Sequence, residues 1–182
     1  ADESDGSFLK LSPVMEVVTN IDLEHLDHYR DLDEIKETFL TFIEKIPFYG
    51  AAVLCLDDLN LASLLPQIRK RVITYGMSSQ ADIHAREVTT IGLSSEFEVY
   101  GGRTPLGRIR LALPGLHNVA NSLAAIAVGL ELDIPFATIA AALTTSRAVS
   151  SMNRSNPSSG CSSRTSTPSC PATSGSCRAK RK

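Results

Sequence analysis

The chain has 182 residues, 43% of them hydrophobic, with 20 acidic and 18 basic side chains and a net charge of −2. This length is sufficient for one domain with a buried core. Residues 1–145 hold all 20 acidic residues and 11 basic ones, whereas residues 146–182 hold seven basic residues and no acidic one. An acidic body with few aromatics and no Trp argues against a nucleic acid as the main partner. No apolar run is long enough to span a membrane and no signal peptide is recognisable, so we expect no membrane partner and a cytoplasmic location.

The first part of the chain alternates short apolar strands with amphipathic helices. A buried strand is predicted over residues 14–19, and a polar loop follows it. Asp31 is a good N-cap for the next helix, with Glu34 as its capping-box partner, and Pro47 ends that helix. Further strands over 51–56 and 71–75 flank a short helix over 59–68, in which Pro66 limits the last turn. This alternation is typical of a largely parallel sheet flanked by helices.

The sequence pattern changes near residue 81. Three stretches separated by glycines are predicted to be strands of a small antiparallel β-meander, which forms an edge or a side sheet rather than part of the main sheet. They are residues 83–88, 96–100 and 108–113. An almost entirely apolar helix over 118–132, of the kind found in protein interiors, and a second helix over 135–145 complete the predicted α/β fold.

The composition changes abruptly after residue 145. Residues 146–182 contain twelve Ser and no periodic apolar set, so we expect a disordered Ser/Arg-rich tail. Its three cysteines, at 161, 170 and 177, lack the spacing of a metal site. Cys55 lies in a strand-like apolar run and is expected to be a reduced core thiol.

Ionisable side chains cluster in the loop after the first strand. They are Asp22, Glu24, His25, Asp27 and His28. Ligands of open α/β sheets bind beyond the carboxyl ends of the strands, and such side chains there could hold Mg²⁺ and the phosphates that it bridges. The alternative is a polar loop with two surface histidines.

Several stretches together resemble a known family. The chain begins Ala-Asp-Glu-Ser-Asp-Gly-Ser-Phe-Leu, continues through Val-Thr-Asn-Ile at 18–21 and Glu-His-Leu-Asp at 24–27, and later reads Leu-Pro-Gly-Leu-His-Asn-Val-Ala-Asn at 113–121. In this order and at these separations, the motifs resemble the central ATP-binding domain of the Mur ligases, over roughly residues 1–145. The resemblance implies an incomplete Mur ligase central domain.

The resemblance also implies a reaction. The sequence most resembles the alanine-adding type of Mur ligase. This resemblance implies ATP and Mg²⁺ as cofactors, and UDP-N-acetylmuramate and L-alanine as substrates in peptidoglycan precursor synthesis. His25 would then be a catalytic residue at the metal and phosphate site, as a Mg²⁺ ligand or its organiser. His117, Asn118 and Asn121 would lie on the adenine side of the nucleotide. From the residues alone, Asn118 is a plausible N-cap and Asn121 an N3 residue, so capping is the alternative role.

Two departures from the family qualify this interpretation. The sequence has no Gly-x-x-x-x-Gly-Lys-Ser/Thr phosphate loop, which the family carries upstream, so the isolated chain is expected to be an inactive fragment. After residue 145 the family's Arg-Arg-Phe-like stretch is replaced by Ser-Arg-Ala-Val, which suggests a shifted reading frame or a misassembled gene end. The alternatives are another Mur-type ligase, such as the murein tripeptide recycling ligase, and a non-enzymatic nucleotide-site remnant whose basic tail binds polyanions.

Overall fold

The computed structural model describes residues 6–22 and 29–145 of the chain. The described residues form one six-stranded sheet in which the order in space follows the order in sequence. Its strands are β1 (Met15–Val18), β2 (Ala51–Cys55), β3 (Val72–Gly76), β4 (Ile83–Ile91), β5 (Ser94–Gly101) and β6 (Thr104–Leu111). Its helices are α1 (Leu32–Ile43), α2 (Leu59–Leu64), α3 (Leu116–Glu131) and α4 (Phe136–Thr145). The predicted tail and residues 23–28 lie outside the described residues.

Helix α1 begins as its sequence predicts. The Asp31 side chain accepts a hydrogen bond of 2.9 Å from the backbone N–H of Glu34. The Glu34 carboxylate reaches one residue further back than in a standard capping box and accepts from the N–H of Arg30 at 2.8 Å. The predicted amphipathic character of this helix is confirmed, since Ile35 and Ile43 are buried. The spacing of apolar residues and the cap at Asp31 therefore predicted helix α1 correctly.

The sheet is covered on both faces. All five residues of β2 are buried, and this strand contacts α2 as well as α3. A strand buried on both sides explains why the sequence of β2 is continuously apolar rather than alternating. Helix α2 ends in a 3-10 turn, Leu65–Gln67, at the position of Pro66. Within the described residues, no helix is long and apolar enough to cross a membrane.

The predicted meander is confirmed and forms one edge of the main sheet. Strands β1 to β4 are parallel neighbours, and β4, β5 and β6 pair antiparallel. The two halves join through a short parallel ladder in which Tyr75 pairs with Ile83 and Gly76 with His84. The alternative of a separate side sheet is therefore wrong, because β4 pairs on both of its edges.

Candidate functional site at the carboxyl ends of the parallel strands

The end of β1 presents polar side chains at the carboxyl edge of the sheet. Thr19 and Asn20 are exposed there, and the Thr19 hydroxyl donates to Asn20 Oδ1 at 2.9 Å. The chain then buries Ile21, which is only 2% exposed. His25 belongs to the segment 23–28 outside the described residues, so its role in binding metal and phosphate stays a prediction.

Polar side chains in and just after the connection between β2 and α2 contact the chain beyond the two neighbouring strands, β1 and β3. The Asp57 carboxylate accepts hydrogen bonds from the N–H groups of Met77, at 2.6 Å, and Ser78, at 3.2 Å, just beyond β3. Asp58 caps α2 by accepting from the Leu61 N–H at 2.8 Å. Asn60 turns the other way and donates from Nδ2 to the Ile21 carbonyl at 2.8 Å. Asp57 of the connection and Asn60 in the first turn of α2 therefore contact the chain beyond β3 and β1, respectively.

Gly76 allows the Asp57 contact to form. A Cβ atom at position 76 would lie 2.7 to 2.8 Å from the three carboxyl atoms of Asp57. Any other residue at this position would displace the carboxylate that binds the next two N–H groups. Gly76 is therefore needed because the Asp57 carboxylate lies against its backbone, and not simply because the chain turns there.

The start of α3 differs from the sequence prediction. The N-cap is Gly115, with φ of 107°, and its carbonyl accepts from the N–H groups of Asn118 at 3.1 Å and Val119 at 3.3 Å. Asn118 is thus the third residue of the helix, and the predicted N-cap role of Asn118 and N3 role of Asn121 are wrong. A glycine with positive φ lets the chain enter the helix earlier than the first polar capping residue indicated.

The three nucleotide-side candidates occupy different environments around this first turn. Asn118 Nδ2 donates to the Pro114 carbonyl at 2.7 Å, which commits one of its two amide hydrogens. His117 is exposed, and its ring lies over Gly115, where an added Cβ would be 2.7 Å from the ring Cε1. Asn121 is exposed and lines the same groove as Thr19. Asn121 and the end of β1 therefore line one groove.

The groove shared by Asn121 and Thr19 is almost entirely apolar. It has a volume of about 640 Å³ and runs between β1, α3 and α4. Val17 of β1 and Ala125 of α3 contribute to its wall, and both are exposed. The prediction that α3 is an interior helix therefore holds for residues such as Leu123 and Ile126, which are fully buried, but not for this face.

Two buried titratable side chains lie on the strands. Glu16 of β1 is only 6% exposed, neither of its carboxylate oxygens has a hydrogen-bond partner, and burial raises its pKa to about 7. Burial also raises the pKa of the Cys55 thiol and, beside it, that of Tyr75. The prediction that Cys55 is a core thiol is confirmed, since it is buried and makes no disulfide.

A metal ion would need donors beyond those described. Residues 6–22 and 29–145 contain no group of three or more His, Cys, Asp or Glu side chains arranged to hold a metal. Thr19, Asn20 and Asp22 offer oxygen donors at the end of β1, and oxygen is the donor that Mg²⁺ prefers. The donor chemistry at this edge therefore fits Mg²⁺ rather than a softer metal.

Comparison with known proteins identifies the family. A family model described as the Mur ligase middle domain matches residues 2–129. The chain belongs to the Mur ligase family. A UDP-N-acetylmuramate–L-alanine ligase of Desulfatibacillum aliphaticivorans is 63% identical over 143 residues, which is 79% of this chain and 31% of the relative. The ligase of the same name from Desulfotalea psychrophila is 62% identical with the same coverage. This Mur ligase domain thus spans about a third of the length of these curated relatives.

Solved structures support the same fold. The UDP-N-acetylmuramate:L-alanyl-γ-D-glutamyl-meso-diaminopimelate ligase from Neisseria meningitides matches with a TM-score of 0.69 and 25% identity, covering 78% of this chain and 43% of that one. The UDP-N-acetylmuramate–alanine ligase of Thermotoga maritima matches with a TM-score of 0.67 and 24% identity, covering 79% and 31%. The resemblance read from the motifs, and the predicted fold class, are therefore confirmed.

The sequence did not identify the contacts that Asp57 and Asn60 make at the carboxyl edge of this Mur ligase domain. The available signal was a pair of acidic residues directly after a buried strand, where a parallel sheet places its functional groups. What sequence spacing could not show is which neighbouring loop each side chain contacts, since Asn60 and Ile21 are 39 positions apart.

Proposed function

We propose that this chain is the middle part of a cytoplasmic ligase that uses ATP to join L-alanine to UDP-N-acetylmuramate in peptidoglycan precursor synthesis. The observation that carries the proposal is the 62–63% identity over 143 residues to two ligases of that name. Because the chain spans only 31% of their length, the activity belongs to the longer protein. The chain contributes the carboxyl edge of the sheet to that activity.

The proposed reaction has two steps. ATP phosphorylates the lactyl carboxylate of UDP-N-acetylmuramate, and the amine of L-alanine then attacks the acyl phosphate and releases phosphate. Such a reaction depends on positioning and on spreading the charge of the transferring phosphoryl group. Mg²⁺ supplies part of that charge stabilisation when it is bound. On this chain we assign His25 to the metal and phosphate side of the site.

The nucleotide side is assigned to the first turn of α3. His117 and Asn121 are exposed there. One amide hydrogen of Asn118 is used in the bond to the Pro114 carbonyl, which leaves its amide oxygen and second amide hydrogen for other hydrogen bonds. An amide group offers both a donor and an acceptor, which suits the edge of a purine. These three polar side chains on one helix turn support placing the nucleotide base beside the start of α3.

We further propose that residues 1–145 are one part of a larger central domain and that residues 146–182 are a separate tail. The outer edge of β1 has no partner strand among the described residues, and the apolar groove lies beside it. An open parallel edge next to an apolar groove is an arrangement that additional strands and helices normally cover. Polypeptide from the remainder of the longer protein is the proposed cover.

The test is an ADP-release assay on the full-length protein that carries this sequence. Sustained release of ADP over many turnovers is expected only when UDP-N-acetylmuramate, L-alanine, ATP and Mg²⁺ are all present. The 182-residue chain alone is expected to match the no-enzyme control, because it lacks a phosphate loop. Absence of acceptor-dependent ADP release by the full-length protein would refute the proposal.

A recycling ligase of the same family is the second candidate. It is supported by the structural match to the tripeptide-adding enzyme of Neisseria meningitides, although at 25% identity rather than 63%. Replacing L-alanine with L-alanyl-γ-D-glutamyl-meso-diaminopimelate in the assay discriminates between the two acceptors. A remnant without enzymatic function would give no turnover with either acceptor.

A further inference from the structure

Glu16 of β1 is a buried carboxylate without a partner. Its side chain is 6% exposed, and neither of its oxygens has a hydrogen-bond partner within residues 6–22 and 29–145. No other Asp or Glu in that part of the chain is buried to this degree. Burying an ionised carboxylate is costly unless an opposite charge or hydrogen-bond donors compensate it, so buried carboxylates in proteins are normally paired. The position of Glu16 therefore points to a partner beyond the described residues.

The side chain of Glu16 lies on the face of β1 that is turned away from the apolar groove. Val17 and Thr19 line that groove together with α3 and α4, and successive side chains of a strand point to opposite faces. Glu16 and Val18 therefore share the other face, where Val18 is buried in the hydrophobic core. Polypeptide that only filled the groove would not contact Glu16.

The outer edge of β1 is the side on which a partner of Glu16 fits. On the inner edge Glu16 pairs with Ala52 of β2, and no described strand pairs with the outer edge. Neighbouring strands of a sheet lie about 4.8 Å apart, so a residue of a strand docked on the outer edge would stand beside Glu16 on the same face. The unpaired N–H and C=O groups of an edge strand are a template for such pairing.

Glu131 shows which kind of side chain satisfies a poorly exposed carboxylate in this fold. Its side chain is 16% exposed and accepts two hydrogen bonds from the Arg71 guanidinium, one of them 2.7 Å long. Such a fork of N–H groups satisfies both carboxylate oxygens at once. Glu16 offers the same two oxygens and is more deeply buried. Burial raises its pKa, and no positive charge among the described residues offsets that effect.

We propose that the outer edge of β1 binds a further strand of the longer protein, and that a basic side chain of this strand, an arginine or a lysine, pairs with the Glu16 carboxylate. The inference rests on the proposed function, because it takes the chain to be one part of a longer ligase. The chain spans only 31% of the length of the two similar ligases, so ample polypeptide exists to supply the strand. The pair also fixes the register, since a shift of one residue would move the basic side chain to the groove face.

The test compares Glu16→Gln in the 182-residue chain and in the full-length protein at pH 8. In the 182-residue chain the substitution removes an unpaired buried charge and should raise the melting temperature by about 2 °C or more. In the full-length protein it leaves the basic partner buried without its counter-charge, and should lower the melting temperature by about 5 °C or more. The expected result is therefore a reversal of sign between the two proteins.

Glu98→Gln is the matched control. The Glu98 carboxylate accepts a hydrogen bond from the Tyr100 hydroxyl on β5, in the meander and away from β1. This substitution should shift the melting temperature equally in the two proteins. An unchanged or higher melting temperature of full-length Glu16→Gln, or the same reversal of sign in Glu98→Gln, would overturn the inference.

Hydrogen exchange of the two wild-type proteins tests the strand pairing without any variant. Amides of residues 14–19 are expected to exchange about tenfold or more slowly in the full-length protein, because an added strand forms hydrogen bonds with the outer edge of β1. Equal exchange in the two proteins would overturn the inference, even if full-length Glu16→Gln did not fold.

These measurements also separate the inference from the proposed function, because neither uses a substrate. If the wild-type full-length protein releases no ADP with L-alanine, the proposed function fails, and melting and exchange still decide whether Glu16 is paired. If the full-length protein is active but Glu16→Gln shows no reversal, the inference fails while the ligase function stands.

Discussion

The parallel half of the sheet, β1 to β4, and the antiparallel half, β4 to β6, use polar side chains differently. In the parallel half, Asp57 and Asn60 contact the loops that follow two other strands. In the antiparallel half, Arg108 of β6 pairs with Glu87 of β4 across the intervening strand β5, and Arg110 lies 3.5 Å from Glu96 directly across the ladder. The contacts of Asp57 and Asn60 orient loops, whereas the ion pairs lie on the surface of the meander.

Topology explains the difference. Parallel strands end at the same edge, so the loops beyond β1, β2 and β3 are neighbours and their polar groups can converge. Antiparallel strands end at alternate edges, and short hairpins such as that between β5 and β6 leave few residues for a site. We therefore expect substitutions in the parallel half to affect activity or its pH dependence, and substitutions on the meander surface to affect little.

The largest expected effect comes from His25 in the full-length protein. His25→Ala should reduce kcat by about 10²–10³, equivalent to ~2.7–4 kcal/mol, because one preorganised contact to the phosphoryl group is lost. The melting temperature should change little. His28→Ala, three residues further along the same segment, is the control and should keep near-normal turnover. Equal losses in both variants would show that the segment as a whole, and not His25, is sensitive.

Glu16 contrasts with the paired carboxylates of the meander. Its pKa is raised from 4.5 to about 7 by burial, so the folded state binds the proton more tightly than the unfolded state. In the 182-residue chain, the contribution of Glu16 to stability is therefore greatest below about pH 4.5 and is lost as the pH rises through about 7. Glu16→Gln should remove this dependence and raise the free energy of unfolding by ~1–3 kcal/mol at pH 8.

Denaturant titrations of the wild type and Glu16→Gln at pH 5 and pH 8 measure this difference. Glu98→Gln is the meander control, since the Glu98 carboxylate accepts from the Tyr100 hydroxyl at 2.9 Å and remains partly accessible. It should produce no comparable gain at pH 8. A Glu16 variant whose advantage is the same at both pH values would contradict the assignment of the effect to ionisation.

Asp57 tests whether the contact between loops contributes to stability. Asp57→Ala removes the acceptor for two backbone N–H groups and should lower the free energy of unfolding by ~1–2 kcal/mol. Asp57→Asn keeps an acceptor oxygen and should lose about half as much. Denaturant unfolding of the 182-residue chain measures both. Identical losses in the two variants would indicate that the shape of the side chain, and not its hydrogen bonds, holds the loop.

The smallest effect is expected from the meander. The Arg108 and Glu87 side chains are 56% and 64% exposed, and exposed ion pairs contribute little because water and salt screen them. Arg108→Ala should change the free energy of unfolding by less than ~0.5 kcal/mol and leave kcat unchanged. A loss of activity in the full-length protein would contradict the division of the sheet into a functional and a structural half.

Most of the fold followed from local patterns in the sequence. The continuous apolar run of β2 and the cap at Asp31 identified their elements because burial and capping act over a few residues. The joining of both halves into one sheet did not follow from the sequence. It depends on the pairing of Tyr75 with Ile83, and the hydrophobic periodicity of a strand does not show which strand lies beside it. The start of α3 was misplaced because a glycine cap carries no polar side chain to signal it.

The site was only partly predictable for a related reason. The motifs predicted roles for His25 and for the turn of Asn121, and Asn121 lines one groove with Thr19 at the end of β1. The links made by Asn60 and Asp57 are contacts between segments distant in sequence, and a single chain sequence does not encode them in any local pattern. His25 itself stays a prediction.

The most direct test of the functional carboxyl edge is hydrogen exchange of the full-length protein with and without ADP and Mg²⁺. Peptides covering residues 19–31, 57–60 and 114–122 are expected to become protected, whereas those covering the meander turns at 92–93 and 102–103 should be unchanged. Protection confined to the meander, or absent from all three carboxyl-edge regions while ADP is bound, would contradict the assignment of nucleotide binding to the carboxyl edge.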